Sequence, residues 1–136
     1  MEINKWEFPD ELLYDTQNQW IAVEGSKIRF GLTPYGIEVT GEVLYLSLPE
    51  LGTIVEQNSG CGSLESGKWV GRVYAPVSGK VTAVNTAVVK QPRQINENPY
   101  GNWMLEIEIK DKVQLAKLMS VNDLAIWLAE ELKKDA

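Results

Sequence analysis

The sequence predicts a mainly β fold, a sandwich or flattened barrel of short antiparallel strands with a C-terminal helix packed on it. Three features carry that expectation: six or seven short apolar or alternating runs, Gly/Pro/Ser turns between them, and an apolar period that lengthens to a helical one from Val113 onward. At 136 residues, 44% hydrophobic and 24% charged, the chain is expected to form one domain that buries about two-thirds of its unfolded surface. That domain is expected to fill residues 1–136, with its core at 14–110 and a helical segment at 113–134.

The first apolar run, Trp20 to Glu24, is closed by Gly25-Ser26 and followed by the alternating Lys27 to Leu32, which reads as two strands and a tight turn. Thr33 can then cap a short helix with Pro34 in its first position, ended by Gly41. Glu42 to Leu48 is a strand stopped by Pro49, and Thr53 to Glu56 is another. Gly60 to Glu65, Val70 to Tyr74 and Lys80 to Asn85 are three more. Residues 86–101 turn polar and proline-bearing, so a loop with one helical turn is expected there. Trp103 to Ile109 follows as a strand with Glu106 and Glu108 on one face, read as solvated, and Leu105, Ile107 and Ile109 on the other. Ser120-Val121-Asn122-Asp123 resembles a capping box ahead of Leu124, Trp127, Leu128 and Leu132, a stripe expected to pack on the sheet.

Composition narrows the chemistry. The chain has no histidine, so Ser-His-Asp and Cys-His nucleophiles and His-ligated zinc are excluded. Its single cysteine, Cys61, forms neither an internal disulfide nor a redox pair. No catalytic residue and no metal site is expected. A net charge of −6 with scattered Lys and Arg argues against nucleic acid, and no window has the length of a membrane span. The first residues have neither a basic nor an apolar leader region, so a cytoplasmic protein is the expectation.

The most informative stretch is Gly60-Cys61-Gly62-Ser63-Leu64-Glu65-Ser66-Gly67-Lys68-Trp69-Val70-Gly71-Arg72-Val73-Tyr74-Ala75-Pro76-Val77-Ser78-Gly79. It reads as a hairpin whose tip lies at Ser66-Gly67, with Gly67 supplying the backbone freedom of the turn and Lys68 exposed beside the apex. Glu65 precedes Lys68 by three residues, and Tyr74-Ala75-Pro76-Val77-Ser78-Gly79 follows at a short fixed distance. Taken alone, an exposed hairpin lysine only keeps an edge soluble.

This pattern resembles the lipoyl-lysine signature of the glycine-cleavage H-protein family. Gly31-Leu32-Thr33-Pro34-Tyr35 and Leu48-Pro49-Glu50-Leu51-Gly52 upstream are similar to further family segments, as are Val84-Asn85 and Asn96-Glu97-Asn98-Pro99-Tyr100-Gly101 with Trp103 downstream. The resemblance spans residues 14–132. It implies a lipoyl-domain-like barrel-sandwich hybrid and a non-catalytic carrier with lipoic acid amide-linked to Lys68. The attachment hairpin would comprise Glu65, Gly67, Lys68 and Trp69, with Glu65 read by a lipoate ligase or lipoyl-synthesis enzymes. A loaded arm that rests on the protein's own surface implies apolar residues near the hairpin, and Trp69 is the candidate.

Departures from the family cluster around that arm. Asn18-Gln19-Trp20 stands where the family usually has His-Glu-Trp, Gly67 and Trp69 flank the lysine in place of a β-branched residue and alanine, and Gly71-Arg72 replaces a Ser-Asp-like pair. Ser47 stands where an acidic residue often precedes Leu-Pro-Glu. The Glu-Ser-Gly-Lys-Trp-Val-Gly run resembles the H-protein-like lipoate-binding proteins of heterodisulfide-reductase-like sulfur oxidation. The expectation is therefore an arm carrying a sulfur-bearing group to such a complex, with classical glycine cleavage and its aminomethyl cargo as the alternative. Cys61 is expected to be a small buried hydrophobe, with thiol exchange against the dithiolane as the sharper possibility. A Ser66–Lys68 dyad is the enzyme alternative, and a bare docking epitope is the third class.

Overall fold

The computed structural model describes residues 1–134, so the final two positions of the expected domain lie outside the described residues. The chain runs through β1 (Glu2–Ile3), β2 (Trp6–Glu7), β3 (Leu13–Tyr14), β4 (Gln19–Glu24), β5 (Lys27–Leu32), α1 (Pro34–Thr40), β6 (Val43–Ser47), β7 (Ile54–Val55), β8 (Gly60–Ser66) and β9 (Val70–Tyr74). It continues with β10 (Gly79–Val84), α2 (Thr86–Lys90), α3 (Arg93–Glu97), β11 (Leu105–Ile109), a 3-10 helix (Lys112–Lys117) and α4 (Val121–Lys134). Antiparallel pairing builds a six-stranded sheet in the order β3-β4-β5-β11-β10-β7, a three-stranded sheet β6-β8-β9, and a small β1-β2 ribbon.

Alternation decides which side chains meet. Ile21, Ile28, Phe30, Val81, Leu105 and Ile107 from the six-stranded sheet share one buried cluster with Val43, Leu46, Leu64 and Val73 from the three-stranded one. Two sheets closing on one core is the barrel-sandwich arrangement expected for this chain. A second cluster joins Phe8, Tyr14, Trp20 and Tyr35 to Val121, Leu124 and Leu128 of α4, which places the expected Leu stripe against the sheet.

Several local expectations are corrected. Residues 86–101 hold two short helices, α2 and α3, organised by asparagine hydrogen bonds that carry no periodic signal. Asn96 donates from Nδ2 to Gly41 O at 2.8 Å and accepts from Val43 N–H at 2.9 Å, tying α3 to the α1–β6 connection. The segment from Val113 is a 3-10 helix whose Asp111 cap accepts from Val113 N–H. Leu115 and Leu118 pack partly buried against the core. Glu106 and Glu108 also differ from one another. Glu108 is exposed, whereas the Glu106 side chain is 15% exposed and held by Arg29 at 3.0 Å, Lys27 at 3.6 Å and the Thr82 hydroxyl at 2.9 Å.

Candidate functional site: the lysine hairpin

The β8–β9 hairpin carries Lys68 at its tip. Main-chain Ser66 N–H donates to Trp69 O at 2.8 Å, and the buried Ser66 hydroxyl oxygen accepts from Lys68 N–H at 3.3 Å. The turn is therefore closed from within by Ser66. Gly67 is correspondingly not required for its backbone freedom: its φ is not positive, and nothing lies within 4 Å of the position a Cβ would take. That corrects the sequence expectation and leaves room for the β-branched residue usual in the family.

The Lys68 side chain is exposed and leans toward α1. Its Nζ donates to Glu38 O at 3.5 Å, a carbonyl in the last turn of α1, where the helix dipole favours a cation. Gly41 ends that helix at φ 86 and lies beneath the lysine stem. Its positive φ favours glycine, and a Cβ there would stand 2.9 Å from Lys68 Cε, so any larger residue would also push the lysine stem aside. The Asn96 bond to Gly41 O fixes this junction. Asn96 is a positioning residue that the sequence pattern shows only as one letter of a longer motif.

The rest of the expected site divides. Glu65 lies on the outer face of β8, between Tyr45 of β6 and Val70 of β9 in the cross-strand row, and is exposed. Its carboxylate has no hydrogen bond or ion pair among the described residues. Trp69 is 39% exposed and folds back over Gly71, whose Cβ would overlap the outer edge of the indole ring. The two departures Trp69 and Gly71 are thus one feature, because the bulky ring needs a residue without a side chain beneath it.

Trp69 does not line the hollow beside Lys68. That cleft, of about 520 Å³, is bounded by Lys68 with Asn4, Lys5, Trp6, Tyr35, Glu38, Val39 and Leu132. Trp6 and Tyr35 meet edge to face at 5.2 Å, and Lys5 pairs with Glu38 at 2.8 Å. The apolar surface near the arm therefore comes from β2, α1 and α4, three elements whose convergence no local pattern announces.

Two chemical alternatives are not assembled. Ser66 Oγ is engaged with Trp69 O and Lys68 N–H while Lys68 Nζ points to α1, so no Ser-Lys dyad forms. Cys61 sits five residues back along β8 from Ser66, about 16 Å at strand rise, and burial pushes its thiol up to about 11. A protonated, half-buried thiol at the far end of the strand is not poised to exchange with a dithiolane.

The hairpin's other anchor is polar and buried. Gln19 Nε2 donates to both Asp15 Oδ2 and Tyr74 O at 2.8 Å, and its Oε1 accepts from Tyr74 N–H at 3.2 Å. Asp15 also accepts from the N–H groups of Gln17 and Gln19. Burial nevertheless pushes its acid up to about 6, the hydrogen bonds offsetting part of that shift. Among the described residues no group of three or more carboxylates and cysteines is placed to hold a metal, and no helix is long and apolar enough to cross a membrane.

Known proteins resemble this chain over most of its length. Residues 12–131 match the family model described as glycine cleavage H-protein. The glycine cleavage system H protein of Halalkalibacterium halodurans is 40% identical over 124 residues, covering 90% of this chain and 97% of the relative. The protein of that name from Thermoanaerobacter sp. is 41% identical over 120 residues, covering 88% and 95%. A crystal structure of a glycine cleavage system H protein from Mycobacterium marinum superposes with a TM-score of 0.78 at 29% identity, covering 90% of this chain and 99% of that one.

Proposed function

The chain belongs to the glycine cleavage H-protein family, a family of non-catalytic lipoyl carriers, and from that premise we propose that Lys68 bears lipoic acid in amide linkage and carries an aminomethyl group between the enzymes of glycine cleavage. One observation supports Lys68 in this role: it is the exposed lysine at the tip of the β8–β9 hairpin, between Glu65 and the Tyr74-Ala75-Pro76-Val77-Ser78-Gly79 run, the position of the family's lipoyl-lysine signature.

The residues divide the work. Ser66 closes the turn, and α1 with Gly41 and Asn96 supports the lysine stem. Gln19 holds the base of β9. Glu65, with Tyr45 and Val70 beside it, offers the acylating enzyme an exposed carboxylate to read. Acylation removes the ammonium, taking the net charge from −6 to −7 and ending its attraction to the C-terminal turn of α1. The freed arm adjoins the cleft of Trp6, Tyr35, Val39 and Leu132, an apolar rest for an apolar dithiolane. Attachment itself supplies the rate advantage, since a tethered intermediate meets its next enzyme at high effective concentration.

The sulfur-oxidation role and its heterodisulfide-reductase-like partner, expected from the residues around Lys68, find no support among the relatives, which carry the glycine cleavage name. The aminomethyl reading replaces them. Coexpression with a lipoate ligase and lipoic acid should add one lipoyl amide to the intact mass, and Lys68→Arg should abolish the gain. No gain by any lipoylation route would overturn the carrier assignment at Lys68. The lipoylated chain should then support glycine decarboxylation with standard partner enzymes, and failure to do so would overturn the aminomethyl cargo.

A further inference from the structure

We propose that the open edge of β9 at Val70 and Arg72 receives an extended segment of the enzyme that acylates Lys68, adding a strand to the three-stranded sheet. The inference rests on the reading of Lys68 as the attachment site and adds how that site is grasped.

Among the described residues β9 is an edge strand, paired only with β8. The bond from Ser66 N–H to Trp69 O makes Ser66 and Trp69 a hydrogen-bonded pair. Antiparallel alternation then turns the peptide groups of Gly71 and Val73 toward β8 and those of Val70, Arg72 and Tyr74 away from it. Tyr74 is already satisfied, because the Gln19 carboxamide accepts from its N–H and donates to its carbonyl. Those are the two bonds a neighbouring strand would make. Among the described residues nothing does the same for Val70 or Arg72. The edge is closed by a side chain at its far end and open beside the lysine.

Side chains leave that edge accessible. Gly71 has none, and Val70 is 73% exposed. A charged residue commonly guards an exposed edge, but the Arg72 stem is laid across β8 over Gly60, where a Cβ would meet its Cδ at 2.9 Å. Main-chain pairing of this kind recruits extended peptides in many complexes.

Distance selects the occupant. An enzyme that acylates Lys68 must bring its acyl carbon to about 3–3.5 Å from Nζ, and so must cover the hairpin tip. Enzymes that work on the dithiolane meet it at the end of the arm and have no need to cover the strand beneath.

The test uses the intact chain and a lipoate ligase shown by mass to acylate it. If the wild-type chain takes no lipoyl group, the reading of Lys68 has failed and the inference falls with it. Given acylation, Arg72→Pro removes the outward N–H without touching the β8 ladder and should lower kcat/KM for acylation by about tenfold, whereas Arg72→Ala should change it by less than about threefold. Equal effects from the two variants would overturn the proposal while leaving the attachment site intact. Hydrogen exchange on the wild-type chain needs no variant: the Val70 and Arg72 amides should slow at least about fivefold when the ligase is bound, and unchanged exchange there would likewise overturn it.

Discussion

Replacing Gln19 by glutamate isolates the buried joint between the lysine hairpin and the six-stranded sheet. Gln19 is 1% exposed, and its Nε2 donates to Asp15 and to Tyr74 O. Glutamate keeps the oxygen that accepts from Tyr74 N–H and loses both donated bonds. The bond to the Tyr74 carbonyl is worth about 1 kcal/mol and the one to a carboxylate about 1.5–3 kcal/mol. A second buried acid beside Asp15 also raises the titration of the pair, because Asp15 alone is already pushed up to about 6, so at pH 8 the pair is either ionised without the donated bond or holds a proton at a cost that grows with pH. At pH 8 the substitution should therefore destabilise the fold by about 2.5–4 kcal/mol, a large share of a typical domain's stability. The folded pair titrates above its unfolded range of about 4, so the native state holds the extra proton. Stability is then fullest at low pH and is lost as pH rises through the folded value. At pH 5 the introduced carboxyl, once protonated, can donate its hydroxyl to Asp15 in place of Nε2, and the gap should narrow to about 1–2 kcal/mol. Urea unfolding of both proteins at the two pH values, followed by tryptophan fluorescence, measures this. A variant within about 1 kcal/mol of wild type at pH 8, or a gap that does not narrow at pH 5, would refute the reasoning.

In the unmodified sequence Asp15 alone should make stability fall between about pH 4 and pH 7, by about 3 kcal/mol for a shift of about two units, and its carboxyl carbon should titrate near 6 by NMR. A titration near 4 would show that the carboxyl is not desolvated as described. Gly71→Ala should eject the Trp69 indole from its seat, raising acrylamide quenching of fluorescence while shifting stability by less than about 1 kcal/mol. The same substitution on a Trp69→Phe background should leave quenching unchanged. Cys61, with its thiol at about 11 against an ordinary 9, should be alkylated by iodoacetamide at pH 7.5 about a hundredfold more slowly in the folded chain than in urea. Equal rates would show that the thiol is not buried.

What is legible in the sequence is what repeats locally. The hairpins at Gly25-Ser26 and Lys68, the alternation that buries Ile28 and Phe30, and the α4 stripe each lie within a window of ten residues or so, where period and turn chemistry act together. The N-terminal strands are two residues long, too short for any period, and they exist because Phe8 and Trp6 pack beneath α1 and α4. The same limit applies at the site. Lys68 is readable from its flanking residues, while its cleft draws Trp6, Tyr35, Val39 and Leu132 from segments far apart in sequence. Gly67 misleads because a glycine at a hairpin tip is usually there for its backbone, whereas here its φ is not positive and the Ser66 hydroxyl bond closes the turn without that freedom.

The missing histidine of the family's His-Glu-Trp segment can be judged in the same terms. Its place is taken by Asn18, which sits at φ 63, a left-handed conformation that asparagine tolerates better than most residues. From there its carbonyl accepts Thr33 N–H at 2.9 Å, directly before α1, and Thr33 in turn caps that helix through Gly36 N–H at 3.0 Å. The helix ends at Gly41 and Glu38 O, the surface on which Lys68 lies. Asn18 therefore works through the placement of α1 and never touches the lysine. In a protein whose reactive group is an attached cofactor, positions like this one are constrained by backbone conformation more than by acid–base capacity, so an asparagine that holds the left-handed turn preserves the carrier's geometry without an imidazole.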